Sequence, residues 1–217
     1  TMQISSDSEL TVSSDLDLIE AHLDPAEATL IELGCGTAAT TLSLAERHPD
    51  CRIIAFEVDR TQHAKNLALA GPPNLGFRLG GAEHIDLPSD SVDAVLMLKS
   101  LHHVSVSVMD QALDEIARVL RPDGLAYISE PVYAGAFNDI LRRFHDEKTV
   151  RESAFGAIQS AVERGGLLLD REVHFLSLSR FDGFADFEAR IIGATHTQFE
   201  IDDEKLEEIR RAFARHV

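Results

Sequence analysis

The stretch LIELGCGTA, residues 30–38, joins an apolar run to two glycines, Gly34 and Gly36, that are separated by one residue. The apolar run suits a buried strand, and the glycines let the backbone turn tightly and approach a ligand. Residues 37–48 then have the pattern of a helix, whose first amide groups favour polar or anionic ligand groups. The stretch predicts a strand, a ligand-binding loop and a helix, although a turn of purely structural purpose has the same appearance.

A second apolar run, CRIIAF at residues 51–56, ends in Glu57. Glu57 follows the glycines by about twenty residues, the spacing at which a carboxylate meets the ribose of a bound nucleotide. A carboxylate accepts hydrogen bonds from both ribose hydroxyls. An exposed acid at a strand end is an ordinary feature of an acidic chain, so Glu57 is informative only together with the glycine loop.

Two cofactors use such a loop. The segment GCGTAA, residues 34–39, satisfies the dinucleotide pattern GxGxxG/A, so a nicotinamide oxidoreductase is one interpretation. Glu32 argues against it, because it lies inside the strand, two residues before Gly34, where dinucleotide-binding folds normally keep an apolar residue.

The chain resembles the class I S-adenosylmethionine (SAM) methyltransferases, which carry an acid at the position of Glu32. LIELGCGTA is similar to the first motif of that family and IIAFEVD to the second. GGAEHIDLP followed by SVDAVLMLKSLHHV resembles the third and fourth strands, and IARVLRPDGLAYISEP resembles the helix, turn and fifth strand. The matches follow one another in the family's order, and the resemblance covers about residues 28–131.

The chain alternates predicted strands with predicted helices over a single domain, residues 1–217. This alternation predicts an α/β, Rossmann-like, doubly wound fold with a mostly parallel sheet and helices on both faces, because parallel neighbours need crossover connections. Ligands of such sheets lie beyond the carboxyl ends of the strands. The predicted strands are residues 30–33, 51–56, 75–79, 94–99, 125–129 and 173–178.

Helices are predicted at residues 15–23, 37–48, 60–70, 108–120, 136–148, 153–164, 183–192 and 202–214. Asp59 and Gln62 fit a capping box for the third of these. Residues 131–166 form an insertion that either covers the substrate or buries a sheet edge. The family usually adds an antiparallel seventh strand, and the sequence leaves open whether the native chain continues past Val217 to supply it.

The resemblance implies a site for SAM. Gly34 and Gly36 approach the methionine portion and the ribose through their backbones, while Glu32 holds the amino group and Glu57 the ribose hydroxyls. The family's acid near the adenine falls on Gly81, which leaves Ala82, through its backbone, and Glu83 as adenine neighbours. The implied cofactor-binding residues are Glu32, Gly34, Cys35, Gly36, Glu57, Val58, Gly81, Ala82, Glu83 and Lys99.

Methyl transfer from a sulfonium is an in-line displacement in which alignment of the acceptor supplies much of the rate. Where the acceptor must lose a proton, His102 or His103 is the candidate base, with Glu130 or Tyr133 as its orienting partner. For either histidine alone, a structural role is the commoner explanation. No metal site is predicted, because the two histidines are adjacent and no Cys/His cluster matches a zinc pattern.

The chain has 37 acidic residues against 20 lysines and arginines, a formal net charge of −17. This charge repels a phosphate backbone, so no nucleic-acid partner is expected. No apolar stretch is long enough for a membrane span. Two cysteines do not form a disulfide framework, which favours the cytoplasm. A small-molecule partner is expected, and a homodimer is compatible with the resemblance.

The first functional hypothesis is therefore a SAM-dependent methyltransferase (EC 2.1.1.-) that acts on a small molecule through oxygen, nitrogen, sulfur or carbon. The second is a SAM-binding regulatory protein of the same fold without catalysis, because a fold does not establish an activity. A nicotinamide oxidoreductase is the third. The acceptor is set by variable segments in which no motif is recognisable.

Overall fold

The computed structural model describes residues 10–193 and 199–216. Its strands are β1 (Thr11–Val12), β2 (Thr29–Leu33), β3 (Arg52–Glu57), β4 (Leu75–Leu79), β5 (Val92–Leu98), β6 (Leu120–Ser129) and β7 (Phe175–Leu176). Five of them form a central sheet in the order β4-β3-β2-β5-β6, and every neighbouring pair is parallel. The predicted mostly parallel sheet is confirmed.

The helices are α1 (Asp15–His22), α2 (Ala39–Arg47), α3 (Arg60–Leu67), α4 (Met109–Val119), α5 (Ala136–Leu141), α6 (Lys148–Glu163), α7 (Phe184–Phe187) and α8 (Asp203–Phe213). Two 3-10 helices, Leu101–His103 and Val106–Val108, precede α4. A π-helical turn, Glu188–Ile192, follows α7. None of the described helices is both long and apolar enough to cross a membrane.

The sheet buries side chains on both faces because successive residues of a strand point to opposite sides. On one face, Ile31 of β2 lies in a cluster with Ile116 of α4 and Ala154 of α6. On the other face, the next residue before it, Leu30, lies in a cluster with Ile19 of α1 and Leu44 of α2. Helices thus cover both faces, which confirms the doubly wound arrangement.

The strand order reverses at β2, which separates β3 on one side from β5 on the other. Ile31 is in register with Ile54 of β3 and with Val95 of β5. Ser100, two residues after β5, donates from Oγ to the carbonyl oxygen of Leu33 at 2.8 Å and so ties the two strand ends together. The expected cleft lies at this end of the sheet.

The prediction of a sixth sheet strand at residues 173–178 is wrong. Of that run only Phe175–Leu176 is a strand, and it pairs in parallel with β1 rather than with β6. Leucines around it are exposed, with exposed fractions of 91% for Leu168 and 61% for Leu178, so these side chains do not pack against the sheet. Among the described strands, β6 is an edge.

The insertion differs from its prediction in where its helices begin and end. The helix expected over residues 136–148 ends at Leu141, and the one expected from residue 153 begins at Lys148. The carboxylate of Asp146 accepts the Lys148 N–H at 3.1 Å, which starts α6 early. As a result Glu147 stands at the beginning of α6.

The capping box predicted for α3 is only half formed. Asp59 accepts the Thr61 N–H at 2.8 Å, as an N-cap residue does. Gln62 instead donates to the side chain of Asn66 at 2.8 Å, so the reciprocal bond of a capping box is replaced by a bond along the helix.

Candidate functional site

The loop after β2 depends on its glycines for two different reasons. Gly34 has φ +71°, and a Cβ there would lie 2.8 Å from the Cβ of Ser100, so no side chain fits. Gly36 has φ +53°, but a Cβ there would meet no protein atom within 4 Å. Gly34 lets the two strand ends approach, whereas Gly36 leaves open space above the loop for a ligand. Ala38 also has a positive φ, 57°, which delays the start of α2 from the predicted Thr37 to Ala39.

The loop is held from below by backbone and side-chain hydrogen bonds. The N–H groups of Gly34 and Cys35 both donate to the carbonyl of Phe56 at 3.0 Å. Asn66 of α3 donates from Nδ2 to the Gly36 carbonyl at 2.7 Å. The Cys35 side chain is buried among Ala38 and Ala55, and burial raises the pKa of its thiol far above the ordinary value. Only the backbone of Cys35 is therefore placed to serve a ligand.

Glu57 receives two backbone donors at the end of β3. Its Oε2 accepts the Gly36 N–H and its Oε1 accepts the Asp59 N–H, both at 2.8 Å. Each carboxylate oxygen has a second lone pair, so the side chain retains capacity for two hydroxyl donors. Val58, the next residue, is 62% exposed and offers an apolar surface beside it.

Glu32 is buried, with only 3% of its surface exposed, at the end of β2. Its Oε2 has no hydrogen-bond partner among the described residues. Burial, together with the nearby carboxylates of Asp15 and Glu57, raises its pKa to about 8. A buried carboxylate oxygen without a donor, surrounded by other acids, is suited to receive a cationic group.

Asp15, one of the carboxylates near Glu32, was missed by the sequence prediction. It stands in the first turn of α1, where Ser14 is the N-cap, and it is buried. Lys99 donates to one of its carboxylate oxygens, and Tyr127 donates to the other at 3.2 Å. Lys99, predicted to bind the cofactor, therefore lines the groove and is paired with α1. An acid in a first helical turn is so common that its sequence carries no signal of this contact.

Glu83 occupies space that the glycine at position 81 provides. A Cβ at Gly81 would lie 2.7 Å from the carboxyl carbon of Glu83. Gln111 holds the Glu83 carbonyl through a 2.8 Å hydrogen bond. Ala82, between Gly81 and Glu83, is buried in the core, so only its backbone is placed for contact with a ligand. Position 81 thus carries no acid itself, but the carboxylate of Glu83, two residues later, folds back against it.

His102 and Glu130 form a buried pair across the ends of β5 and β6. The His102 Nδ1 lies 2.6 Å from Glu130 Oε2, while Glu130 Oε1 accepts the Leu101 N–H at 2.9 Å. His103 is exposed, and its ring centroid lies 4.1 Å from that of His102. Tyr133, the other predicted partner, hydrogen-bonds instead to Asp146.

A second buried network lies behind this pair and was not predicted. Glu147 Oε2 accepts from the Arg151 guanidinium at 2.5 and 3.1 Å, and Arg151 also donates to Asn138 at 2.9 Å. Glu147 Oε1 lies 3.0 Å from His145 Nε2 and 3.8 Å from His102 Nε2. Burial acts to raise the pKa of Glu147, but Arg151 and the two histidines hold it below its ordinary value. The insertion thus contributes to the cleft.

Comparisons with known proteins agree on the fold and the cofactor. A family model described as a methyltransferase domain matches residues 30–124. An uncharacterized methyltransferase of Mycobacterium bovis is 37% identical over 108 residues, which are 50% of this chain and 42% of that protein. The match thus spans less than half of that relative's length.

Solved structures share the same architecture. A SAM-dependent methyltransferase from Aquifex aeolicus has a TM-score of 0.59 at 18% identity, over 74% of this chain and 84% of that one. The (4+2)-cyclase SpnF has a TM-score of 0.52 at 27% identity, over 65% of this chain and 54% of that one. The family model, the relatives and the shared fold support a class I SAM-dependent methyltransferase family for this chain.

The residues present fit the cofactor of this methyltransferase family. Glu32 offers a donorless buried oxygen to the ammonium group, and Glu57 retains acceptors for the ribose. Gly36 leaves open space between them. SAM, rather than a nicotinamide dinucleotide, is the cofactor.

A groove of about 2150 Å³ runs from the strand ends along β6 to residues 167–179. Lys99, His102, His103 and Glu130 line its beginning, whereas the glycine loop lies outside it. Its volume exceeds the 300–1,000 Å³ usual for a small-molecule site. The His102–Glu130 pair therefore lies at the end of the groove nearest the strand tips.

Proposed function

We propose that this protein transfers the methyl group of SAM to a small-molecule acceptor. The observation that carries the proposal is the donorless carboxylate oxygen of Glu32, buried beside the glycine loop. In this arrangement Glu32 binds the cofactor's ammonium group and Glu57 its ribose. The Glu83 carboxylate, folded against Gly81, binds the adenine amino group in place of the acid that the family often carries at the position of Gly81.

The acceptor binds at the end of the groove in front of His102 and His103. SAM supplies an activated methyl group, so these residues mainly align the acceptor atom with it. For an acceptor that must lose a proton, His102 is the base and Glu130 the residue that orients its ring. The 2.6 Å contact between them supports this assignment. Residues 131–166 cover the acceptor, as the reach of Glu147 and Arg151 toward His102 suggests.

The choice of a small molecule rests on charge. A net charge of −17 opposes binding to nucleic acid. The free cysteines Cys35 and Cys51 support a reducing compartment such as the cytoplasm. A homodimer stays a prediction.

Ligand-dependent melting tests cofactor binding. S-adenosylhomocysteine at a hundred times its Kd should stabilise the protein by about 2.7 kcal/mol. For a chain of this size that is a rise in Tm of roughly 5–11 °C. NAD(H) at the same concentration is the matched control and should leave Tm unchanged. A protein that melts at the same temperature with and without S-adenosylhomocysteine does not have this site.

Transfer itself is tested with SAM labelled in the methyl group and a metabolite extract. A labelled product 14 daltons heavier than its precursor is expected, because one methyl replaces one hydrogen. Glu130→Gln should lower kcat while leaving the Kd for S-adenosylhomocysteine unchanged. If Glu130→Gln also keeps the wild-type kcat and pH profile, His102 is not the oriented base.

A second candidate is a SAM-binding protein of this fold that performs another task. The similarity to a protein named as a (4+2)-cyclase favours keeping it, because that chain shares the fold. Tight binding of S-adenosylhomocysteine with no labelled product in any extract would support this candidate over the first.

A further inference from the structure

Three groups from two separate segments converge at the acceptor end of the groove. One ligand atom each of His102, His103 and Glu147 lies within 4.8 Å of the other two. His102 and Glu147 are buried, whereas His103 is exposed. The 3-10 turn that carries the two histidines brings their rings to a centroid separation of 4.1 Å, so adjacent residues reach the same side.

The partners of the two ring nitrogens of His102 leave a place for a cation between His102 and Glu147. If Nδ1–H donates to Glu130, the lone pair of Nε2 faces Glu147 Oε1 at 3.8 Å, and two acceptors then oppose each other. A cation between them would be bound by both, beside the 3.0 Å contact of Glu147 Oε1 with His145 Nε2. Two ligands of a tetrahedral ion with bonds of about 2.0–2.1 Å are separated by roughly 3.4 Å, close to this spacing.

The surroundings also hold the candidate ligands in place. Metal-binding histidines commonly donate their other ring N–H to a carboxylate, which is the position of Glu130 relative to His102. Glu147 is oriented through its other oxygen by Arg151, which Asn138 holds in turn.

We propose that His102, His103 and Glu147 bind one divalent transition-metal ion at the acceptor end of the groove. Two imidazoles and one carboxylate suit borderline ions such as Zn²⁺, and three protein ligands leave a coordination position open toward the groove. A hard ion such as Mg²⁺ prefers an oxygen-rich set and is not expected to bind here.

The inference goes beyond methyl transfer, because binding of the ion needs neither SAM nor an acceptor. It does change the role of His102. A bound ion occupies Nε2, so His102 acts as a base only in the metal-free protein. Binding measured without SAM therefore tests the metal site separately from the proposed activity.

The experiment titrates Zn²⁺ alone into the chelator-treated protein by calorimetry, with Co²⁺ as a spectroscopic probe. Wild type should bind one equivalent of Zn²⁺, and Co²⁺ should show the visible bands of a low-coordinate site. His103→Ala, at an exposed position, should weaken binding at least tenfold, and Glu147→Gln should do the same. Mg²⁺ should not compete.

His174→Ala is the matched control, because His174 faces a single carboxylate, Glu172, at 2.9 Å. It should bind Zn²⁺ as wild type does. Circular dichroism melts show whether each variant is folded, and His103→Ala still tests the site if Glu147→Gln unfolds. The proposal is overturned if folded wild type takes up no stoichiometric Zn²⁺, or if His103→Ala binds it equally well. The buried contacts of His102 with Glu130 and of Glu147 with Arg151 are then the explanation of the geometry.

Discussion

The two halves of the cleft are built in different ways. The cofactor half is formed by the loop at residues 34–36 with Glu32 and Glu57. Backbone groups and two acids define this half at the ends of the neighbouring strands β2 and β3. In the acceptor half, formed by His102, Glu130 and the network of Glu147 and Arg151, side chains from three distant segments interlock.

The two halves should respond differently to amino-acid substitution. The cofactor half leaves a buried carboxylate oxygen without a donor and open space above Gly36, so it is completed by a ligand. The acceptor half pairs its buried charges with one another, through the contacts of His102 with Glu130 and of Glu147 with Arg151. Substitutions in the acceptor half should therefore cost folding stability first, and those in the cofactor half should cost affinity.

The largest effect is expected from Arg151→Met. This change leaves the buried carboxylate of Glu147 without its principal partner, and breaking a buried ion pair from one side costs about 3–5 kcal/mol. Urea unfolding measures the loss. The Kd for S-adenosylhomocysteine of the folded variant should stay close to that of wild type, because the cofactor half is untouched.

Arg143→Met is the matched control for that prediction. Arg143 pairs with Glu208 at 2.7 Å, but both side chains are partly exposed, at 29% and 43%. Water replaces the lost partner, so the cost should be no more than about 1 kcal/mol. Equal losses in the two variants would mean that the Arg151 network is not a buried charge network in solution.

The same difference explains how far the sequence could be interpreted. LIELGCGTA predicts strand, loop and helix because its cause is local: glycines where the backbone turns and an acid within the strand. Glu147 and Asp15 give no such signal, because each looks like an ordinary residue near a helix start. Their importance arises only when the fold brings them to His102 and Lys99.

The sixth strand shows a related limit. Residues 173–178 have enough apolar character for a strand, but strand pairing depends on which partner is available and which face is buried. Here the partner is the short β1, and the leucines stay exposed. The central strands β2, β3 and β5 were predictable because their apolar runs are buried on both faces by helices.

Two alanine substitutions in the cofactor half compare a glycine packed against the protein with a glycine that faces open space. Gly34→Ala and Gly36→Ala both place a side chain at positive φ, which costs about 1–2 kcal/mol. Gly34→Ala also forces a methyl group against Ser100, which should add about 1–3 kcal/mol. Urea unfolding should therefore rank Gly34→Ala as the less stable protein. If Gly36→Ala loses as much stability, the open space above Gly36 is absent in solution.

Glu57→Gln should reduce cofactor affinity more than stability. The substitution removes the charge that we propose receives the ribose hydroxyls, and a hydrogen bond to a charged group contributes about 1.5–3 kcal/mol. The Kd for S-adenosylhomocysteine, measured by calorimetry, should rise roughly tenfold to a hundredfold. Glu46→Gln, at an exposed position on α2, should bind as wild type does. Wild-type affinity in Glu57→Gln would remove Glu57 from the cofactor site.

Glu32 imposes a dependence on pH on the cofactor half. Its pKa of about 8 lies above the ordinary value of 4.5, so between these values the folded protein holds a proton that the unfolded chain has released. Raising the pH through this window therefore lowers the free energy of unfolding of the ligand-free protein. Glu32→Gln lacks that proton and should show less of the decline.

Cofactor binding should respond to pH in the opposite direction. An ammonium group favours the ionised form of Glu32, so binding below about pH 8 releases the proton. Affinity for S-adenosylhomocysteine should then increase by up to roughly tenfold for each pH unit between about pH 6 and pH 7.5. Calorimetry across this range measures the slope, which Glu32→Gln should flatten while binding more weakly at the upper end. An unchanged slope in Glu32→Gln would show that another group couples binding to protons, and that the donorless oxygen is not where the cofactor's charge is received.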